Sequence, residues 1–217
     1  MHIPDGVLPA EVAFGGYVVT AAITWVSLRQ IKKQPEFESQ IPRAALLTAA
    51  FFVASWIHIP IPPTSVHLVL NGLLGVVLGW YAFPSILVGL FLQAVMFQHG
   101  GLTTLGVNAA MMGIPALIAY GVFGIRTRLK LRQPLWTNIF AFIGGAIGLG
   151  LAAGIAFTIL IASIPAYMDI EAERAAITAL TLAHVPLVLI EGVFTALIIA
   201  FLLRVRPELV SADAVTT

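Results

Sequence analysis

Seven apolar stretches, each near the length that crosses a bilayer, make up most of this chain and leave it few ways to fold. A helix needs about 20 apolar residues to cross the hydrocarbon core. The stretches fall at about 9–28, 43–58, 66–80, 83–98, 104–124, 136–164 and 176–203. The third is short, and the sixth is long enough to tilt. Pro60, Pro62, Pro63, Pro84 and Pro165 lie at or near the breaks, where helices stop easily. Only 10% of the 217 residues are charged and 59% are hydrophobic, whereas soluble domains carry about 25% charged residues. So few charges cannot coat a water-facing surface, so most of the exterior faces lipid. The expected fold is an all-α, polytopic membrane bundle of about seven transmembrane helices. It forms one domain over residues 1–206, followed by a polar cytoplasmic tail, 207–217, read as mobile.

The basic residues set the orientation. Arg29, Lys32, Lys33 and Arg43 fall in or beside the first loop. Arg126, Arg128, Lys130 and Arg132 follow the fifth stretch, and Arg204 and Arg206 follow the seventh. With seven helices and the N-terminus outside, ten of the 11 basic residues are cytoplasmic and only Arg174 is external, as the positive-inside rule requires. A six-helix reading puts the second and third clusters on the wrong sides. MHIPDGVLP lacks the basic start and cleavage site of a removable signal. The first helix is therefore expected to target the chain to the cell (inner) membrane and to stay there.

Several chemistries are excluded. There are no cysteines, which removes disulfides, thiolate metal sites and cysteine catalysis. A net charge of +1 gives no reason to bind nucleic acid. The Gly-rich GGAIGLGLAAG lacks the lysine of a phosphate-binding loop and lies inside an apolar stretch, so the chain does not hydrolyse ATP.

Any metal must therefore be held by nitrogen or oxygen. His2, His58, His67, His99 and His184 all fall in the outer half under this topology. They suit an imidazole-lined vestibule for nickel, cobalt, copper or zinc, although helix ends also tolerate histidine as wet interface residues. Met1-His2 offers more. The terminal amine, the His2 backbone nitrogen and His2 Nδ1 can bind one ion through a five-membered and a six-membered ring. A second imidazole would complete a plane of four nitrogens, which suits nickel and copper. Pro4 stiffens the segment, and Asp5-Gly6 suits a turn that folds it back. The competing reading is a frayed terminus with histidine at position two by chance.

Glu191 is the only acidic residue deep in a helix, and His184 lies seven residues before it on the same face. A polar contact within the bundle is the preferred role for Glu191, and a transient ligand on a release path is the alternative. Gly144, Gly148, Ala152 and Ala156 form a row of small residues that lets helices approach closely, within the bundle or against a partner.

Four blocks together resemble a known family. MHIPDG at the start, PPTSVHLVLNGLLG at 62–75, HGGLTTLGVN at 99–108 and HVPLVLIEGVFTALIIAFL at 184–202 look like the NikM/CbiM family. Those proteins are the substrate-capture (S) components of energy-coupling-factor transporters for nickel and cobalt. The resemblance runs in order along nearly the whole chain. It implies an N-terminus inserted into the bundle, with metal ligation by the Met1 amine, the His2 backbone nitrogen, the His2 ring and His67. It also implies a transmembrane coupling subunit, cytoplasmic ATPase subunits and a small accessory membrane subunit, with no enzymatic activity or cofactor beyond the transported Ni²⁺ or Co²⁺. The family has more Gly and Ser around the ligand histidine, where this chain has Val66, Leu68, Val69 and Leu70. Gly100-Gly101 is read as a tight turn. Thr103, Thr104 and Asn108 either hold the inserted N-terminus, orient His67, or simply cap the fifth helix. No small component is fused after the last helix, which leans towards cobalt, while the MHIPDG opening leans towards nickel.

Two readings from other classes compete. A stand-alone secondary transporter or channel needs internal repeats or a continuous polar path, and the sequence shows neither. A membrane metalloenzyme needs a general acid or base beside an open metal, and Asp5 is the only carboxylate near the histidines. The topology is directly testable: a reporter fused after Thr217 should be cytoplasmic and a tag placed at 169–173 external. A cytoplasmic 169–173 tag contradicts the seven-helix reading.

Overall fold

A computed structural model describes residues 2–61, 64–131 and 133–210. Met1, Pro62, Pro63, Arg132 and the end of the tail from residue 211, all invoked above, lie outside the described residues. Seven α-helices dominate: α1 (Ala10–Ile31), α2 (Ile41–Ala54), α3 (Asn71–Leu78), α4 (Ala82–Phe97), α5 (Leu105–Arg128), α6 (Pro134–Ala162) and α7 (Ile170–Val205). Among the described residues, five apolar helical stretches are long enough to cross a membrane: 10–31, 71–97, 105–128, 134–162 and 170–205. Large apolar side chains such as Phe14, Trp25, Leu46, Leu182 and Leu197 are exposed around the outside, as suits a lipid-facing surface.

α5 lies at the centre of the bundle and packs on α1, α3, α4 and α6, while α6 also packs along α7. The stretch 71–97 is long enough to cross once, yet its flanking histidines meet. The His67 and His99 ring centroids are 5.2 Å apart. The chain therefore enters and returns at one end of the bundle, turning through Gly79, whose φ is +58°. α3 has only eight residues, about 12 Å at the usual rise, so the extended residues before it cover the remaining depth.

Asn71 secures the start of α3. Its Nδ2 donates to the Met112 carbonyl at 3.0 Å and the Gly148 carbonyl at 2.8 Å, which ties α3 to both α5 and α6. Gly148 permits this closeness, because a Cβ there would run into the Gly72 backbone. The small-residue row of α6 thus packs within the bundle at this point: Gly144, Gly148, Ala152 and Ala156 are all buried.

Several sequence expectations need correction. His58 and His67 do not end and begin helices. They sit in an antiparallel hairpin of β1 (His58–Ile61) and β2 (Thr64–His67), directly opposite each other in register. The β-branched Ile59, Ile61, Thr64 and Val66 favour extended backbone, and prolines deny the helix its donors. α7 starts at Ile170, not near residue 176, because the Asp169 carboxylate caps it by accepting from the Glu171 and Ala172 N–H groups at 3.0 and 3.1 Å. His184 therefore lies nearly four turns inside α7, and Arg174 belongs to the helix. The tail does not begin mobile. Pro207–Leu209 forms a 3₁₀ turn. The Leu209 carbonyl accepts from Arg43 Nη2 at 2.9 Å and the Val210 carbonyl from Arg126 Nη2 at 2.7 Å.

Candidate metal centre

Residues 2–5 are folded into the protein. Ile3 is buried at 3% exposure. Its N–H donates to Asn108 Oδ1 at 3.0 Å, and its carbonyl accepts from Asn108 Nδ2 at 2.9 Å and from Thr104 Oγ1 at 2.7 Å. Asp5 takes a hydrogen bond of 2.5 Å from Thr103 Oγ1 and bonds of 2.8 and 3.2 Å from the Thr103 and Leu102 N–H groups. Those bonds, the Thr103 hydroxyl first among them, hold the Asp5 carboxyl below its ordinary pKa. Thr103, Thr104 and Asn108 thus hold the N-terminal segment rather than only capping α5. Tyr17 adds a hydrogen bond to the Leu102 carbonyl, and Thr20 donates to the Gly106 carbonyl at 2.6 Å, which locks α1 to the start of α5.

The Gly100-Gly101 pair does more than turn the chain. Gly100 has φ +87° and lies against the His2 side chain, and a Cβ on Gly101 would collide with Asp5. Gly100 supplies the left-handed turn, and Gly101 makes room for the inserted segment.

This anchoring brings three imidazoles together. The His2 ring centroid lies 5.1 Å from that of His67 and 4.1 Å from that of His99. Each offers one ring nitrogen, and these nitrogens lie within 4.8 Å of one another. His99, placed by the sequence in the outer vestibule but not in the ligand set, is the third member. Its signal was the HGG turn, which has to sit wherever the inserted terminus sits.

Hydrogen bonds fix the tautomers. Gln93 is fully buried in α4, and its Nε2 donates to Ser55 Oγ at 3.1 Å and to the Phe52 carbonyl at 3.4 Å. Its Oε1 is thereby left to accept, and it lies 2.9 Å from His2 Nε2. His2 therefore carries its proton on Nε2. His2 Nδ1 is buried without a hydrogen-bond partner among the described residues. Burial above all, reinforced by the facing His99 and His67 rings, holds the His2 pKa well below its ordinary value, so the ring is neutral and able to ligate at physiological pH. His67 Nδ1 lies 2.9 Å from the Leu68 carbonyl. That oxygen can only accept, so Nδ1 carries the proton and Nε2 the lone pair of His67.

Glu191 supports His67 from a distance. Its carboxylate, 1% exposed, accepts from the Val69 N–H and from the Leu70 N–H at 3.0 Å. Residues 68–70 are neither strand nor helix, and Leu70 has φ +58°, an uncommon conformation for a branched residue. Buried N–H groups without partners are costly, so Glu191 is what makes this unwound run affordable beside the site. His67, His99 and His184 line a single cavity of about 370 Å³ with His2. The His58 side chain lies outside the described residues.

Residues 2–209 match the family described as the cobalt uptake substrate-specific transmembrane region. A putative metal transport protein of Haemophilus influenzae is 35% identical over 97% of both chains. The fused nickel transport protein NikMN of Rhodobacter capsulatus is 31% identical over 97% of this chain, which spans 64% of that relative. A crystal structure of a transition metal transporter superposes with a TM-score of 0.79 at 26% identity, covering 96% of this chain and 95% of the other.

The Gln93–His2 bond gives the site a specific test. Gln93→Leu frees the His2 ring, and binding of Ni²⁺ or Co²⁺ should weaken about tenfold or more with the melting temperature little changed. Unaltered affinity by calorimetry contradicts the orienting role. Set on this helical, membrane-spanning bundle, with its inserted N-terminus and three facing histidines, the match along nearly the whole chain makes the protein a member of the CbiM/NikM family of cobalt and nickel uptake membrane components.

Proposed function

We propose that the protein is the substrate-capture component of an ATP-driven nickel or cobalt uptake transporter, binding the ion through its own N-terminus. The ligands are the Met1 amine, the His2 backbone nitrogen, His2 Nδ1 and His67 Nε2. His99 packs on the His2 ring and closes one side of the site.

The observation that carries this reading is the tautomer of His2. A six-membered chelate ring with the His2 amide nitrogen can use Nδ1 but not Nε2. Gln93 occupies Nε2 and leaves Nδ1 as a buried lone pair without a hydrogen bond among the described residues. A site made only of imidazole rings has no need of that choice. Four nitrogens in a plane, one of them a deprotonated amide, favour metals that polarise the amide strongly, which ranks nickel ahead of cobalt.

Without a phosphate-binding loop, transport against a gradient requires ATPase subunits and a transmembrane coupling subunit supplied by other chains. A small accessory membrane subunit accompanies them. In the cell membrane the histidine end faces outwards and the arginine end, with Arg43 and Arg126, faces the cytoplasm.

The decisive change leaves every side chain intact. Acetylating the Met1 amine, or adding one residue ahead of it, removes a donor and moves the chelate out of ring geometry. Ni²⁺ binding measured by calorimetry should be abolished. Unchanged affinity and stoichiometry would mean that His2, His67 and His99 bind as rings alone.

A further inference from the structure

One more imidazole faces the cavity from outside the cluster. His184, on α7, is 3% exposed and lines the same cavity as His2, His67 and His99. It is not one of the three histidines whose nitrogens lie within 4.8 Å of one another. Its part of the wall is built by Ala153, Ala156 and Phe157 of α6 and by Leu180 and Thr181 of α7.

The ring is held in one tautomer. His184 Nδ1 lies 2.8 Å from the Leu180 carbonyl. A carbonyl only accepts, so Nδ1 carries the proton and Nε2 the lone pair. That Nε2 is buried and has no hydrogen-bond partner among the described residues. The hydroxyl beside it, Thr181 Oγ1, is committed to the Ile177 carbonyl at 2.9 Å. A buried acceptor left without a donor calls for an explanation. An imidazole whose Nδ1–H is bound to a backbone carbonyl while Nε2 stays bare is oriented as metal-ligating histidines are.

The cavity has room for the corresponding ligand. One water takes about 30 Å³, and the cavity holds about 370 Å³, enough for an ion that keeps several of its waters. An ion coming from bulk water must lose those waters before it reaches a planar all-nitrogen site, and a single imidazole on the wall lets it do so in steps.

We propose that His184 Nε2 is a relay ligand for the transported ion. A partly hydrated divalent first-row transition-metal ion binds it on the α6–α7 wall and is then handed to the cluster of His2, His67 and His99. One water leaves the metal as the His184 bond forms, and that bond breaks as the nitrogen of His67 takes its place. No proton or electron moves at His184. This inference rests on the capture reading above.

A relay ligand changes rates in both directions and leaves the end state alone. His184→Gln keeps an amide that can donate to the Leu180 carbonyl but removes the imidazole donor, and His184→Asn serves as a second variant. Stopped-flow binding of Co²⁺, followed by its visible absorption, should show association and dissociation both slowed about tenfold, with Kd and melting temperature unchanged. Wild-type rates in both variants overturn the relay. A weakened Kd together with a lowered melting temperature also overturns it, because the histidine would then be structural. His67→Ala in parallel separates the two readings. It should abolish Co²⁺ binding, and if it binds like wild type the capture site fails and the relay fails with it.

Discussion

Asn108 clamps the backbone of Ile3, and the site depends on this. A chain end normally frays, because ordering each residue costs about 1–2 kcal/mol. Here three hydrogen bonds engage Ile3, each contributing about 1 kcal/mol net, and burying its side chain adds about 1.5–3 kcal/mol. The sum offsets the ordering of the next residue or two. The segment from His2 onward is therefore held in the interior by protein contacts alone. His2 is carried to a set position between His67 and His99.

From that clamp the surrounding polar residues follow a common logic. In an apolar bundle no water satisfies stray donors, so each polar side chain near the site is tied to a particular group. Gln93 bridges Ser55 and Phe52 to the His2 ring. Glu191 reaches from α7 to the unwound backbone that follows His67. Asn71 ties that same segment into α5 and α6. Elements 120 residues or more apart in sequence are thereby coupled at one point, as with Glu191 and the N–H groups of Val69 and Leu70. A displacement of α7 would be felt directly at His67, which suits a site that must both hold its ion and let it go.

The helical class, the membrane setting and the convergence of histidines on one end were legible in the sequence, because hydropathy and charge placement act over whole segments. What failed was local. Apolar run length alone ends the second helix at His58 and starts the third at residue 66, although His58–Ile61 and Thr64–His67, with their β-branched residues, form a hairpin. Asp169 begins α7 six residues early, since a capping carboxylate extends a helix beyond its apolar part. Gln93 gave no signal at all: one amide within an apolar run is meaningful only once His2 is known to lie beside it. Glu191 was correctly read as a buried polar contact, but its partners are backbone N–H groups, which no residue pattern announces. A role for Asn108 in holding the N-terminal segment was one of several the sequence left open, and only the structure shows its bonds to Ile3.

The central claim is that the chain's own terminus, and not imidazole rings alone, holds the ion. X-ray absorption of the nickel-loaded protein tests it most directly, because square-planar and octahedral nickel differ in edge shape as well as in distances. The expected result is a planar shell of nitrogen donors only, with the short bonds of a deprotonated amide. A six-coordinate shell of imidazoles and water oxygens would contradict it.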